Sequence, residues 1–133
     1  MQSILDIYSA AVYEIYEPHI IMRVGERSKM LDRLIEQHGD REWAFITPYN
    51  PYPETLSDEE NIRRLWELSD MTQSYTTHLG EGRWDEEHPC EPEKSLLVLG
   101  ISRKEAERIG NHFHQKAILR GVVGGVVELV VLF

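Results

Sequence analysis

Trp43 to Leu68, WAFITPYNPYPETLSDEENIRRLWEL, is the stretch that decides how this chain folds. Trp43 to Thr47 is almost wholly apolar, the pattern of a strand covered on both faces. Pro48, Pro51 and Pro53 then forbid regular structure, because each removes a backbone N–H and fixes φ. Ser57 and Glu60 form a capping box, S-x-x-E, in which each side chain satisfies a free N–H of a helix's first turn. That helix should end near Thr72, with Ile62, Leu65, Trp66 and Ser69 on its inner face. A strand end beside a helix start gathers polar groups where a small ligand can sit.

Before this stretch, Gln2 to Ala11 is weakly helical by spacing. Val12 to Tyr16 and Ile20 to Val24 read as an antiparallel hairpin about the Pro18-His19 turn. Ser28 caps a helix over Lys29 to His38, whose apolar stripe is Met30, Leu31, Leu34 and Ile35, and Gly39 stops it. After it, Tyr75 to Leu79 reads as a strand and Gly80-Glu81-Gly82 as a turn. Arg83 to Glu93, with two prolines and a cluster of acids, reads as a long surface loop. Ser95 to Ile101 is a second fully apolar strand. Ser102 and Glu105 repeat the capping box ahead of a helix to about His114, buried through Ala106, Ile109 and Phe113. Ala117 to Val123 and Val126 to Phe133 form a hairpin at Gly124-Gly125. The last strand is thus read as ending on Phe133 itself, which predicts that C-terminal truncation is harmful. The expectation is one α/β (α+β) domain over residues 1–133, with a mixed, mostly antiparallel sheet of about six or seven strands and three main helices.

The 133 residues suit one core, and the formal net charge is −9. That balance argues against a nucleic-acid backbone, which needs clustered Lys and Arg, and against an anionic membrane. The lone cysteine, Cys90, permits no intrachain disulfide and suits a reducing, cytoplasmic setting. No signal peptide is expected, and the longest apolar run is broken by Glu128.

Several short motifs in order resemble a bacterial and phage family of unknown function, DUF3293. They are Arg23-Val24-Gly25 for R-x-G, Ile46 to Pro51 for I-T-A-Y-N-P, and Glu60-Asn61 for E-N. Leu99-Gly100-Ile101 matches L-G-I, Gln115-Lys116-Ala117 matches Q-x-A, and Glu128-Leu129-Val130 matches E-L-V. Two departures stand out. Pro48 replaces a small residue, and the family's W-x-E-x-S approach is stretched into Trp84 to Ser95, with Glu93 at the place of its acid. The resemblance implies no activity.

Candidate ligand-binding residues are Arg23, Thr47, Tyr49, Asn50, Asn61, Glu93 and Gln115. Arg23 suits two-pronged contact with an acidic group, although alternation can equally point it to solvent. Asn50 and Asn61 can read a ring edge, or simply tie the turn to its own backbone. Gln115 faces the same edge or caps its helix. Tyr49 and Tyr52 can stack on a ring, whereas Trp66 lies on the apolar stripe and reads as core. Asp58, Glu59 and Glu60 occupy the helix start that would otherwise attract a phosphate. The six histidines and Cys90 lack metal-site spacing, no dinucleotide or phosphate-loop fingerprint is present, and no cofactor is expected.

The leading expectation is a non-catalytic domain binding a small molecule, such as a nucleotide derivative, in the manner of a phage protein that sequesters a host signal. Two alternatives are an acidic protein-interaction module and a small hydrolase using Glu81, Glu93 or His78 as general base. An exposed edge strand also allows pairing of two copies.

Overall fold

The computed structural model describes residues 3–84 and 91–133. Four helices, α1 (Ile4–Ala10), α2 (Lys29–Gln37), α3 (Asp58–Met71) and α4 (Arg103–His112), accompany seven strands. The strands are β1 (Val12–Ile15), β2 (Ile20–Met22), β3 (Glu42–Ile46), β4 (Thr76–Arg83), β5 (Glu93–Leu99), β6 (Ala117–Val122) and β7 (Glu128–Val131). They form one sheet in the order β2-β1-β4-β5-β3-β6-β7. The α+β reading holds. Every described pairing is antiparallel, so the sheet is not mixed. Ser3, Ser28, Ser57 and Ser102 each accept an N–H from the first turn of their helix, which fixes four helix starts by side-chain capping. The final strand ends at Val131 rather than at Phe133.

Alternation along β3 splits the core into two layers. Trp43 and Phe45 join Tyr13, Ile15, Met22, Leu97, Leu99 and Leu119 with the α2 stripe Leu31, Leu34 and Ile35. Ala44 and Ile46 point the other way, to Leu96, Val98 and Ile118, under Leu68 of α3 and Ala106 and Ile109 of α4. Burial on both sides explains the unbroken apolar runs from Trp43 to Ile46 in β3 and from Leu96 to Leu99 in β5.

The sheet curls. The segment after β2 reaches the segment before β7: Gly25 N–H donates to the Val127 carbonyl at 2.8 Å, and Val127 N–H to the Glu26 carbonyl at 2.9 Å. The Tyr13 and Phe45 rings, three strands apart in the sheet order, meet edge to face at 6.1 Å. Gly80 permits this curvature, since a Cβ there would press on the Glu14 carbonyl and come within 3.0 Å of Phe45. Gly80-Glu81-Gly82 is therefore the C-terminal half of β4 and not the expected turn. A glycine in a strand marks a close approach as readily as a reversal.

The inner face of α3 also differs from expectation. Trp66 is 68% exposed and Ile62 44% exposed, while Asn61 and Leu68 are buried. The inward stripe is the buried Asn61 and Leu68 with the partly buried Leu65, and Arg64 reaches inward beside it. Two polar side chains turned the helix, because their hydrogen bonds are made only on that face.

Candidate functional site

The prolines after β3 leave backbone carbonyls with no ladder partner, and a buried, unpaired carbonyl is costly. Side chains from α3 and from the end of α4 supply what the sheet does not. Arg64 donates through Nε to the Pro48 carbonyl at 2.5 Å and through a terminal nitrogen to the Phe113 carbonyl at 2.6 Å. Burial holds its guanidinium below the ordinary value. Gln115 Nε2 donates to the Tyr49 carbonyl at 2.8 Å. Tyr52 N–H donates to the His114 carbonyl at 3.0 Å. Thr47 Oγ1 donates to the Lys94 carbonyl at 2.8 Å and accepts the Tyr49 N–H at 3.1 Å.

Asn50 is the centre of this web. Its φ of 48° lies in the left-handed region, which asparagine tolerates better than most residues. Its backbone N–H donates to Asn61 Oδ1, and its own Oδ1 accepts from Asn61 Nδ2 and from Leu56 N–H, each at 2.9 Å. Asn50 Nδ2 donates to Glu93 Oε2 at 2.8 Å. The amides expected to read a ligand are thus largely spent on the turn and on each other.

Glu93 opens β5 at the rim of the curled sheet. It is partly buried, and its second carboxyl oxygen has no hydrogen-bond partner among the described residues. Burial pushes the carboxyl up to about 7, against the opposing pull of the Asn50 amide. Behind it lies a hollow of about 40 Å³ whose lining includes Tyr13, Phe45, Thr47, Trp84, Ser95 and Gln115. That is room for one or two water-sized groups. The Tyr13 hydroxyl donates to the Tyr8 carbonyl at 2.6 Å, and burial beside Tyr8 and Glu93 raises its pKa. Tyr49 is raised too, first by burial and then by Asp58 and Glu93.

Of the seven predicted residues, six gather at this mouth: Thr47, Tyr49, Asn50, Asn61, Glu93 and Gln115. Arg23 does not belong to them. It lies exposed just past β2, three strands from β5 in the sheet order. Arg64, which the sequence reading did not single out, joins the cluster. Its signal was the spacing to Asn61, three residues along the same helix.

Other candidate bases are engaged elsewhere. Glu81 accepts from the Tyr16 hydroxyl at 2.6 Å and pairs with Arg83. His78 meets the Glu17 carbonyl through Nδ1 at 2.9 Å. His88 and Cys90 lie outside the described residues. Among the described residues no group of three His, Cys, Asp or Glu could hold a metal ion, and no helix is long and apolar enough to cross a membrane.

The class defined so far is an α+β protein with a curled antiparallel sheet and a proline-rich turn at its mouth. A family described as protein of unknown function (DUF3293) matches residues 46–118, more than half of the chain, and the chain belongs to that family. The match runs from the end of β3 through α3, β4, β5 and α4, so it contains the whole cluster and leaves Arg23 outside. No curated protein and no solved structure matches the chain.

Proposed function

We propose that this protein is a non-catalytic small-molecule-binding domain whose site is the mouth of the curled sheet around Glu93. The supporting observation is the Glu93 carboxyl itself: one oxygen is held by Asn50, the other has no protein partner among the described residues, and an inner hollow lies behind it. Trp84 and Tyr8, with rings 5.5 Å apart, line the same mouth and offer a surface for a flat ligand. Thr47, Asn50, Asn61, Arg64 and Gln115 act as the frame that holds the turn, and so the mouth, in one shape. A sequestering role needs no more than this. Native mass spectrometry of freshly purified protein, followed by calorimetric titration with a panel of nucleosides, nucleobases and amines, tests the reading. Saturable binding that Glu93→Gln weakens about tenfold or more is expected. Absence of any carried or bindable ligand refutes it.

One observation favours a second reading, a small hydrolase. A carboxyl that titrates near 7 is poised as a general base at neutral pH. Ligand recovered intact after long incubation with the protein rejects it, and turnover lost in Glu93→Gln favours it.

A further inference from the structure

Outside the inner hollow the mouth widens into a cleft of about 290 Å³. Its described lining places the rings of Tyr8, Tyr52 and Trp84 beside the carboxylates of Glu54, Glu91 and Glu93. No Lys, Arg or His belongs to that described lining. The described cations in the neighbourhood are engaged elsewhere. Arg64 holds the turn carbonyls, Arg83 pairs with Glu14 and Glu81, and Lys94 donates to the Tyr16 hydroxyl at 3.1 Å. Lys116 lies 5.4 Å from the Tyr52 ring centroid and 4.8 Å from that of Phe133, and it does not line the cleft. Among the described residues Glu54, Glu91 and Glu93 take part in no ion pair.

This combination selects a ligand by charge. Among the described lining residues a phosphate meets three carboxylates and no counter-ion. A neutral ring leaves the carboxylates uncompensated as it displaces their water. A cation satisfies them, and the faces of aromatic rings attract it further. A planar guanidinium or amidinium fits best, because its parallel N–H donors match the two oxygens of a carboxylate and its plane stacks on indole or phenol. The cleft has room for roughly ten non-hydrogen atoms. The chain's net charge of −9 adds a field that draws such a ligand in.

We propose that the cleft binds a small organic cation with a guanidinium or amidinium head, the head on Glu93 and the stem along Trp84. The inference rests on the small-molecule reading above and narrows it. Calorimetric titration of the full chain with agmatine, adenosine, adenosine monophosphate and an arginine-containing tripeptide tests it at pH 7.5. Agmatine is expected to saturate one site, with adenosine monophosphate silent. Glu93→Gln weakens agmatine at least about tenfold, whereas Glu59→Gln, on the outer face of α3, leaves it within about twofold. Should Glu93→Gln fail to fold, the paired rim substitutions Glu54→Gln and Glu91→Gln provide the same test, with a severalfold loss expected. Adenosine bound with agmatine silent overturns the cation and leaves a small-molecule site standing. No binding by any probe, with nothing carried through purification, overturns both readings. Agmatine bound equally by wild type and Glu93→Gln means general attraction to an acidic surface and overturns the inference. So does a tripeptide bound far more tightly than agmatine, which would point to a protein partner.

Discussion

Glu93→Gln also carries a stability prediction that needs no ligand. The substitution keeps the side chain's shape, and the new amide oxygen still accepts from Asn50 Nδ2. What it removes is a proton equilibrium. In the folded protein burial pushes the Glu93 carboxyl from its ordinary 4.5 up to about 7, so between those values the native chain holds more protons than the unfolded one. Stability from this group is therefore greatest below about pH 4.5 and declines as pH rises, reaching its minimum above about pH 7. The full gap corresponds to at most roughly 3 kcal/mol. Water at the mouth lowers this to roughly 1–2 kcal/mol. Urea unfolding followed by tryptophan fluorescence at pH 5, 6, 7 and 8 gives the difference between the two proteins directly. Glu93→Gln should match the wild type near pH 5 and exceed it by about 1–2 kcal/mol at pH 8. Glu14 and Glu105, whose carboxyls are lowered by Arg83 and Arg108 respectively, contribute the opposite slope in both proteins and cancel. A difference that does not change with pH, or that favours the wild type more at pH 8 than at pH 5, refutes burial as the cause.

The turn and the rotated helix make further predictions. Asn50→Ala leaves the Leu56 N–H and the Asn61 amide without their acceptor and puts alanine at positive φ, which should cost about 2–4 kcal/mol in urea unfolding. Asn50→Gly restores the backbone preference alone and should recover about 1 kcal/mol of that loss; a glycine variant as stable as wild type would show that the side chain holds nothing. Trp66→Gln should change stability by less than about 0.5 kcal/mol, whereas Leu68→Ala should cost about 2–4 kcal/mol. The reverse ranking would place tryptophan in the core after all.

The strands most legible in the sequence were β3 and β5, because burial on both faces leaves an unbroken apolar run that little else in a folded chain produces. The capping serines were equally plain, since their chemistry is local. The face of α3 was not. Apolar periodicity pointed Trp66 inward, yet Asn61 and Arg64 occupy the inner positions because the proline-rich turn, some ten residues earlier, has carbonyls to be satisfied. That demand arises in space and leaves no mark in the helix's own pattern. Gly80 and Gly82 failed for a related reason: the sequence shows a missing Cβ but not whether a reversal or a neighbouring carbonyl requires its absence. At the site, the gathering of Thr47, Asn50, Asn61 and Gln115 was foreseen, while their work as a scaffold was not. Arg23 carried the right chemistry for an anion but lies just past β2, away from the mouth. The raised carboxyl of Glu93 depends on what encloses it, which no spacing in the chain encodes.

The two backbone hydrogen bonds that join Gly25 and Glu26 to Val127 give the sheet an uneven resistance to opening. Neighbouring strands elsewhere are joined by continuous ladders, but the backbone across this seam is joined by one pair of hydrogen bonds, worth roughly 1 kcal/mol each. Thermal breathing of the fold should begin there, far from the braced turn. The rim that carries Glu93 can then stay rigid while the opposite side yields.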